Sequence, residues 1–209
     1  MTERPEIPLV DAPRAAEIGP DKPHQQGSRL IHDGRIVHLS MDDVRFPDGS
    51  TGQLELIRHS GAAAVVPILG SLDEPDPEVV LVRQFRYAAG GDIYEVPAGR
   101  PDRPGEPWED VARRELEEET GFVAADLAPL TTIYTTPGFT DERIHLFLAT
   151  GLSGGTAGLD DDEFVEVLAM PFSRVLRAIQ DGRIIDGKTL CSLLWVATFL
   201  RPGTVERTR

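Results

Sequence analysis

Residues 99–122 read GRPDRPGEPWEDVARRELEEETGF, and the end of this stretch concentrates carboxylates. If it forms a helix, Glu115, Glu118 and Glu119 are spaced i, i+3 and i+4 and share one face. Each pair of like charges at that spacing costs roughly 0.2–0.5 kcal/mol. A divalent cation would remove this repulsion, and oxygen ligands on a rigid helix suit Mg²⁺ or Mn²⁺. The stretch therefore predicts a helix that binds a metal ion on one face.

The other side of the predicted helix is apolar. Trp108, Ala112 and Leu116 follow one another at four-residue steps and would hold this side against a core. Gly121 stands where a helix commonly ends in a left-handed residue. A solvated acidic helix is the simpler interpretation of the glutamates alone, because Glu favours helices and charge runs usually face water. The full pattern of the stretch decides between the two interpretations.

That pattern runs from Gly99 to Glu106 and then, after seven residues, continues as Arg-Glu-Leu-x-Glu-Glu-x-Gly-Phe, ending at Phe122. It closely resembles the Nudix box, the signature of hydrolases that cleave a nucleoside diphosphate linked to another moiety. The resemblance implies that Arg114 orients the glutamates and that Glu106 begins the helix, where its charge suits the helix dipole. One feature departs from the family. Six residues separate the first glycine from the first glutamate, where the family has five, so we expect a bulged loop before the helix.

Composition and charge limit the classes of partner. The 209 residues carry a net charge of −14, so the surface repels nucleic-acid phosphates and we expect no nucleic-acid partner. No apolar stretch approaches the ~18 residues of a membrane span and no signal peptide is visible, so we expect no membrane association. The lone Cys191 excludes a disulfide within the chain, which favours the reducing cytoplasm, and its apolar neighbours predict a small core residue.

Three regions follow one another along the chain. Residues 1–27 hold five prolines and few large apolar groups, which indicates a flexible or extended arm. Residues 28–59 alternate apolar and polar side chains around Asp33-Gly34 and Pro47-Asp48-Gly49, and so predict a three-stranded meander. Residues 60–209 carry the box and the remaining strands and helices, and would form the hydrolase domain.

The last region alternates β-rich runs with few helices. Runs at 62–69, 78–85 and 93–99 precede the acidic helix, and runs at 127–136, 143–150 and 164–172 follow it, with a loop at 151–162. Two closing helices are predicted, roughly Ser173–Asp181, with Ser173 as N-cap, and Lys188–Leu200. This order predicts an α+β (mixed α/β) fold. It resembles the Nudix fold, an α/β/α sandwich with a mixed sheet, preceded here by a small N-terminal β region.

Segments outside the box resemble one branch of the family, the ADP-ribose pyrophosphatases. They include HSGAAAVVPIL, VRQFRYAAG and YEVPAG before the box, and TPGFTDERIHLFLA and an acidic loop running into EFVEV after it. Pro137 stands fifteen residues beyond Phe122, where this branch carries a proline. The resemblance implies hydrolysis of a nucleoside diphosphate substrate, ADP-ribose, to AMP and ribose 5-phosphate, with Mg²⁺ or Mn²⁺ as cofactor.

The resemblance also implies the metal ligands. Glu115 and Glu119 would bind the metal directly, and Glu118 would join them or orient metal-bound water. The backbone carbonyl of Ala98, immediately before the first glycine of the box, would supply a further oxygen.

A general base must come from elsewhere if the helix glutamates hold metal. The acidic run at 160–163 lies in a Gly-rich loop that could close over the site. Glu163 is the first candidate, as base or late-arriving metal ligand, and Asp161 is the second. A solvated acidic loop is the alternative interpretation.

The diphosphate needs a cation as well, and Arg86 is the best candidate because its planar guanidinium matches phosphate oxygens. Arg143 is a weaker candidate of the same kind. By resemblance, Glu142 contacts the terminal ribose, and Arg58 and Glu55 from the N-terminal β region reach the adenine, in a homodimer that exchanges this region between subunits.

Two alternatives remain open. Another Nudix hydrolase, acting on GDP-mannose, a different nucleotide sugar or flavin adenine dinucleotide, would use the same metal chemistry with a different pocket. A non-catalytic ADP-ribose sensor would bind without cleaving. Such sensors usually carry a DNA-binding extension and a damaged box, whereas this chain has intact glutamates and a strongly acidic charge.

Overall fold

The computed structural model describes residues 24–155 and 165–201, and the chain divides into two compact units, residues 1–57 and 58–209. The first unit is built on a sheet in the order β1 (Gln25–Asp33), β2 (His38–Arg45) and β3 (Thr51–Arg58). β1 and β2 are antiparallel. The meander is therefore as predicted, but β1 begins inside the segment predicted as an arm. The rest of that arm, residues 1–23, lies outside the described residues.

The N-terminal sheet buries polar rather than apolar side chains. Ser40 and Asp42 are 4 % and 2 % exposed, and the Asp42 carboxylate accepts hydrogen bonds from Ser28 Oγ at 2.7 Å and Ser40 Oγ at 3.1 Å. Several large apolar side chains of this unit are instead exposed, namely Leu30, Ile31, Ile36, Val37 and Leu54. A sheet this small has little core of its own.

The second unit contains a seven-stranded mixed sheet. Its strands are β4 (Ala62–Leu69), β5 (Glu78–Arg86), β6 (Gly91–Glu95), β7 (Ala98–Gly99), β8 (Phe122–Tyr134), β9 (Arg143–Gly154) and β10 (Val165–Pro171). The order is β10-β5-β4-β9-β8, with β6 paired to β5 and β7 paired to β4. β4 and β9 run parallel, and the other pairs are antiparallel.

Helices cover both faces of this sheet. Alternate residues of β4 point to opposite sides, and both sets of side chains are buried against helices. The helices are α1 (Trp108–Thr120), α2 (Phe172–Gln180) and α3 (Gly187–Trp195), which continues as a π-helical turn, Val196–Leu200. One buried cluster joins β4 to α1 through Ala63, Val65, Val111, Ala112 and Leu116. The other joins it to α2 and α3 through Val66, Ile68, Phe172, Val175 and Leu193. The predicted α/β/α sandwich with a mixed sheet is confirmed.

The predicted N-cap of α2 was wrong. The helix begins at Phe172 with Pro171 in the cap position, and Ser173 lies inside the first turn. Asp76 serves the helix end instead, because its carboxylate accepts the Ser173 N–H at 2.8 Å and the Ser173 hydroxyl at 2.7 Å. These hydrogen bonds lower the pKa of Asp76. The helix dipole favours a charged acceptor at the N-terminus. Because Asp76 is far from Ser173 in the chain, the sequence around Ser173 does not reveal this acceptor.

Three further details differ from prediction. β9 continues to Gly154 along β8, where a loop was predicted from residue 151. α3 begins at Gly187, because Asp186 accepts the Thr189 N–H at 3.0 Å as N-cap. Cys191 is exposed, not a core residue, since α3 turns Ser192 and Leu193 inward.

No helix in the described ranges is both long and apolar enough to cross a membrane.

Candidate active site

The acidic helix is fixed at both ends. Its first residue, Trp108, stacks on His145 with ring centroids 4.2 Å apart, and a side chain at Gly61 (φ +86°) would overlap the Trp108 ring. At the other end Gly121 adopts φ +70° and its N–H donates to the Glu117 carbonyl at 2.8 Å. The prediction of a helix that ends at this glycine is confirmed.

Glu106 does not begin the helix, which starts two residues later. Its carboxylate instead accepts the Asp102 N–H at 2.8 Å, across the loop that precedes the helix. Gly105 in this loop has φ +79°, a conformation that glycine adopts without steric cost. The loop before the helix therefore contains a tight turn, and Glu106 closes that turn.

The three helix carboxylates differ in exposure. The side chains of Glu115 and Glu118 are 12 % and 42 % exposed, and Glu119 as a whole residue is 4 % exposed. Arg114 Nη1 donates to Glu115 Oε1 at 2.8 Å and to Glu118 Oε2 at 2.9 Å. The backbone N–H of Ala98 donates to Glu119 Oε2 at 3.2 Å. Two nearly buried carboxylates thus lie between α1 and β7, each held by a donor.

β7 approaches α1 very closely at Gly99. A Cβ atom at this position would overlap the Glu115 carboxylate itself. Since β7 is paired to β4 through Ala63 and Ala64, it cannot easily shift away. Any side chain at this position would displace the Glu115 carboxylate, so the glycine allows the carboxylate to lie against the β7 backbone.

Arg114 orients the carboxylates, as the resemblance implied. Its Nη2 donates to the Arg100 carbonyl at 2.8 Å, and its Nε lies 3.2 Å from Asp102 Oδ2. Burial alone would lower the pKa of Arg114, but the charge of Glu115 and the hydrogen bonds to Glu118 and Glu115 outweigh it and raise that pKa. The guanidinium therefore stays charged and ties the loop to the helix.

The donor chemistry of this site suits a hard divalent cation. The candidate ligands all offer oxygen atoms, namely the carboxylates of Glu115, Glu118 and Glu119 and the Ala98 carbonyl. Because Gly99 has no side chain, the buried Glu115 carboxylate can lie against the β7 backbone. Within residues 24–155 and 165–201, no three His, Cys, Asp or Glu side chains are already arranged as a metal-binding group. Arg114 and the Ala98 N–H occupy oxygens of these glutamates, so binding a cation requires the side chains to rearrange.

Arg86 lies at the end of β5 and forms a two-point ion pair with Glu95 of β6. Nε donates to Oε1 at 2.7 Å and Nη2 donates to Oε2 at 2.9 Å. These hydrogen bonds raise the pKa of Arg86, burial opposes them, and the charges of Glu95, Glu119 and Asp186 raise the pKa further. Arg86 is therefore near enough to the helix carboxylates to interact with Glu119. Glu95 was not predicted as a site residue, although it lies within the YEVPAG segment that leads into the box.

Two other predicted residues meet at a second cluster. Arg58 Nη1 lies 3.3 Å from Asp141 Oδ2, whose other oxygen accepts the His59 N–H at 2.9 Å. Glu142 Oε1 lies 3.5 Å from His59 Nδ1, and Glu142 Oε2 accepts the Thr135 hydroxyl at 2.7 Å. The structure thus brings Arg58 and Glu142 together through His59 and Asp141, neither of which the sequence singled out.

The remaining predicted residues are dispersed. Glu55 is exposed on β3 in the N-terminal unit, and Arg143 is half-buried at the start of β9. Asp161 and Glu163 lie outside the described residues, and so does the acidic run that contains them.

We predict that the folded protein loses stability in acid because of His145, which stacks on Trp108. Burial, with a smaller contribution from the charge of Arg143, lowers its pKa from 6.5 to about 4. Between these values the unfolded chain binds a proton that the folded chain does not, so stability falls as the pH drops from 6.5 towards 4. We expect a loss of about 1–3 kcal/mol for this half-buried ring.

Urea unfolding at pH 7.0, 5.5 and 4.5 measures this loss. In His145→Gln, glutamine can still hydrogen-bond to Thr132 Oγ1, which lies 3.0 Å from the histidine Nδ1, but does not titrate. The variant should lose the corresponding part of the pH dependence. Equal pH dependence in variant and wild type would contradict the assignment.

Comparison with known proteins agrees with this geometry. A family model described as the NUDIX domain matches residues 59–193. The methanol dehydrogenase activator of Bacillus methanolicus is 40 % identical over 168 residues, which cover 79 % of this chain and 88 % of the relative. The ADP-ribose pyrophosphatase of Bacillus subtilis (strain 168) is 37 % identical over 168 residues, with the same two shares.

A solved structure shows the same fold. The crystal structure of an ADP compounds hydrolase matches with a TM-score of 0.73, covers 88 % of this chain and 98 % of that chain, and is 22 % identical. The family model spans more than half of the chain, and it includes the glycine, the arginine and the glutamates described above. The chain belongs to the Nudix family.

Proposed function

We propose that this protein is a metal-dependent Nudix hydrolase that cleaves the diphosphate of ADP-ribose to AMP and ribose 5-phosphate. The observation that carries the proposal is the pair of nearly buried carboxylates, Glu115 and Glu119, held against the Ala98–Gly99 backbone within reach of the charge of Arg86. An oxygen-rich metal site beside an arginine suits the binding of a diphosphate. The activity named for the Bacillus subtilis relative supports ADP-ribose as the substrate.

Glu115, Glu118, Glu119 and the Ala98 carbonyl are the proposed ligands of Mg²⁺ or Mn²⁺. When bound, such an ion supplies positive charge to the diphosphate and lowers the pKa of a coordinated water. Arg114 keeps its charge and can hold Glu118 or Glu115 in place while the other rearranges. Arg86 would bind the diphosphate through Nη1, because its ion pair with Glu95 uses the other two nitrogens, Nε and Nη2.

Four further residues are proposed to contact the substrate. Glu142 would contact the terminal ribose, Arg143 would assist at the diphosphate, and Arg58 and Glu55 would reach the adenine. Arg58 and Glu142 of one chain are joined through Asp141 and His59, so the two roles fit a homodimer in which each subunit supplies one of them to a given substrate.

A substrate panel tests the proposal. ADP-ribose, GDP-mannose and flavin adenine dinucleotide are incubated with the protein and Mg²⁺ or Mn²⁺, and the products are identified by chromatography. We expect AMP and ribose 5-phosphate from ADP-ribose at the highest kcat/KM. Preferred cleavage of GDP-mannose would establish the alternative substrate, and tight ADP-ribose binding without cleavage would establish a sensor.

Glu163, or failing that Asp161, is proposed as the general base. Glu163→Gln or Asp161→Asn should then lower kcat roughly 100-fold, because an amide cannot take a proton from water, while ADP-ribose affinity stays nearly unchanged. Single-turnover rates and calorimetric titration separate the two effects. Asp126→Asn, at an exposed position on β8, is the control. Near-normal rates in both loop variants would place the base elsewhere.

A homodimer is proposed, and the exposed apolar side chains of the N-terminal sheet support it. Leu30 and Leu54 are 58 % and 48 % exposed in the single chain. Leu30→Lys and Leu54→Lys should each weaken dimerisation about 10- to 100-fold, because a second subunit would bury these side chains. Sedimentation measures the effect, and calorimetry should show weaker ADP-ribose binding in parallel. Val167→Lys, at an exposed valine of β10, should change neither. A monomeric wild type would reject the proposal.

A further inference from the structure

The Arg86–Glu95 pair belongs to a larger, partly buried network. The Glu95 side chain is 3 % exposed and contacts two cations, Arg86 and the Lys188 Nζ of α3. Lys188 Nζ also lies 3.0 Å from Asp186 Oδ2, and the Lys188 side chain is only 10 % exposed. Two basic and two acidic groups are thus joined between β5, β6 and α3.

Lys188 is poorly placed for the stability of its own helix. It is the second residue of α3, where the helix dipole disfavours a cation. Its amine is also taken out of water, at a free-energy cost that ion pairing often fails to recover. An apolar residue would serve packing at this position better. The network is therefore better explained by what it does for Arg86 than by what it contributes to folding.

The same α3 turn fixes the strand that leads to the metal ligands. Thr189 Oγ1 accepts a hydrogen bond from the Val96 N–H at 2.9 Å and donates one to Asp186 Oδ2 at 2.6 Å. Two residues after Val96, the Ala98 N–H binds Glu119, and Gly99 meets Glu115. Residues 95–99 therefore carry both the partner of Arg86 and the backbone against which the helix carboxylates lie.

We propose that Glu95 and Lys188 are positioning residues for Arg86: Glu95 holds the guanidinium from one side, and Lys188 keeps Glu95 in place so that Nη1 is directed at the diphosphate. The inference rests on the proposed binding of a diphosphate by Arg86. It extends that proposal to two residues that need not touch the substrate.

A double-mutant cycle tests the inference. The full chain, Glu95→Gln, Arg86→Gln and the double variant are titrated with a methylene-bridged ADP-ribose analogue in the presence of Mg²⁺. Loss of a charged hydrogen bond should make Glu95→Gln bind roughly 10- to 100-fold more weakly. In the Arg86→Gln background the same change should weaken binding no further, because its effect passes through Arg86.

Kinetics with ADP-ribose provide a second readout. Glu95→Gln should raise KM while kcat stays within a few-fold of wild type, because the helix glutamates are unchanged. Lys188→Met should also raise KM with little change in kcat, and Lys188→Arg should restore affinity. If Glu95→Gln does not fold, these two Lys188 variants test the inference. The matched control is Glu166→Gln. In the wild type the Glu166 carboxylate pairs with Arg83 at 2.6 Å on the same sheet, and its replacement should leave affinity unchanged.

The outcomes separate the inference from the proposed function. Equal losses in both backgrounds of the cycle would overturn the inference and leave ADP-ribose hydrolysis standing. If the wild type cleaves a different nucleoside diphosphate derivative, the substrate proposal fails, and the cycle with the methylene-bridged form of that compound decides the inference. If the wild type neither binds nor cleaves any of them, both fail.

Discussion

Replacing Glu119 by glutamine is expected to lower kcat for ADP-ribose on the order of 100-fold or more, with the fold intact. Glutamine preserves the shape of this buried residue and can still accept the Ala98 N–H, but it removes a negative charge from the proposed metal site. The affinity for Mg²⁺ should fall in parallel. Initial rates over a Mg²⁺ titration measure both effects, and the melting temperature reports on the fold.

Glu109→Gln is the matched control for Glu119→Gln. Glu109 lies in the first turn of the same helix and pairs with Arg113 at 2.9 Å on an exposed surface. The control should retain nearly full activity, since such surface pairs contribute little. If Glu119→Gln were as active as this control, Glu119 would not be a metal ligand.

Gly99→Ala is expected to lower kcat roughly 100-fold, because even a small displacement of reacting groups has effects of this size. The added methyl group would overlap the Glu115 carboxylate, and the pairing of β7 with β4 prevents the backbone from withdrawing. The carboxylate must therefore move. The metal titration and rate assay used for Glu119→Gln apply here as well.

Gly154→Ala controls for the loss of a glycine from a strand. A Cβ at Gly154, at the end of β9, meets no atom of residues 24–155 or 165–201 within 4 Å. Its rate should match that of the wild type. A fully active Gly99→Ala would mean that Glu115 need not lie against the Ala98–Gly99 backbone for turnover, which contradicts a metal site built on both.

The box helix was predictable because its information is local. The apolar spacing of Ala112 and Leu116 identified the buried side, and the i, i+3, i+4 spacing placed three glutamates on one face. The glycine at the helix end followed from its preference for positive φ. The close approach of Gly99 to Glu115 needed the pairing of β7 with β4, which no local pattern encodes.

The sequence-based predictions missed interactions between distant segments. Asp76 reaches Ser173 across 97 residues, and Lys188 reaches Glu95 across 93. Arg86 was identified by its chemistry, but its partner Glu95 depends on the register between β5 and β6. Buried ion pairs of this kind arise from tertiary structure, so composition and periodicity carry no signal for them.

The measurement that tests the central claim most directly is the turnover of ADP-ribose by the wild-type protein with Mg²⁺ or Mn²⁺, repeated in excess chelator. The claim predicts AMP and ribose 5-phosphate in equal amounts with metal, almost none with chelator, and recovery when metal is restored. Undiminished turnover in chelator would contradict a metal site built on Glu115 and Glu119. Intact ADP-ribose in the presence of metal would contradict the proposed substrate.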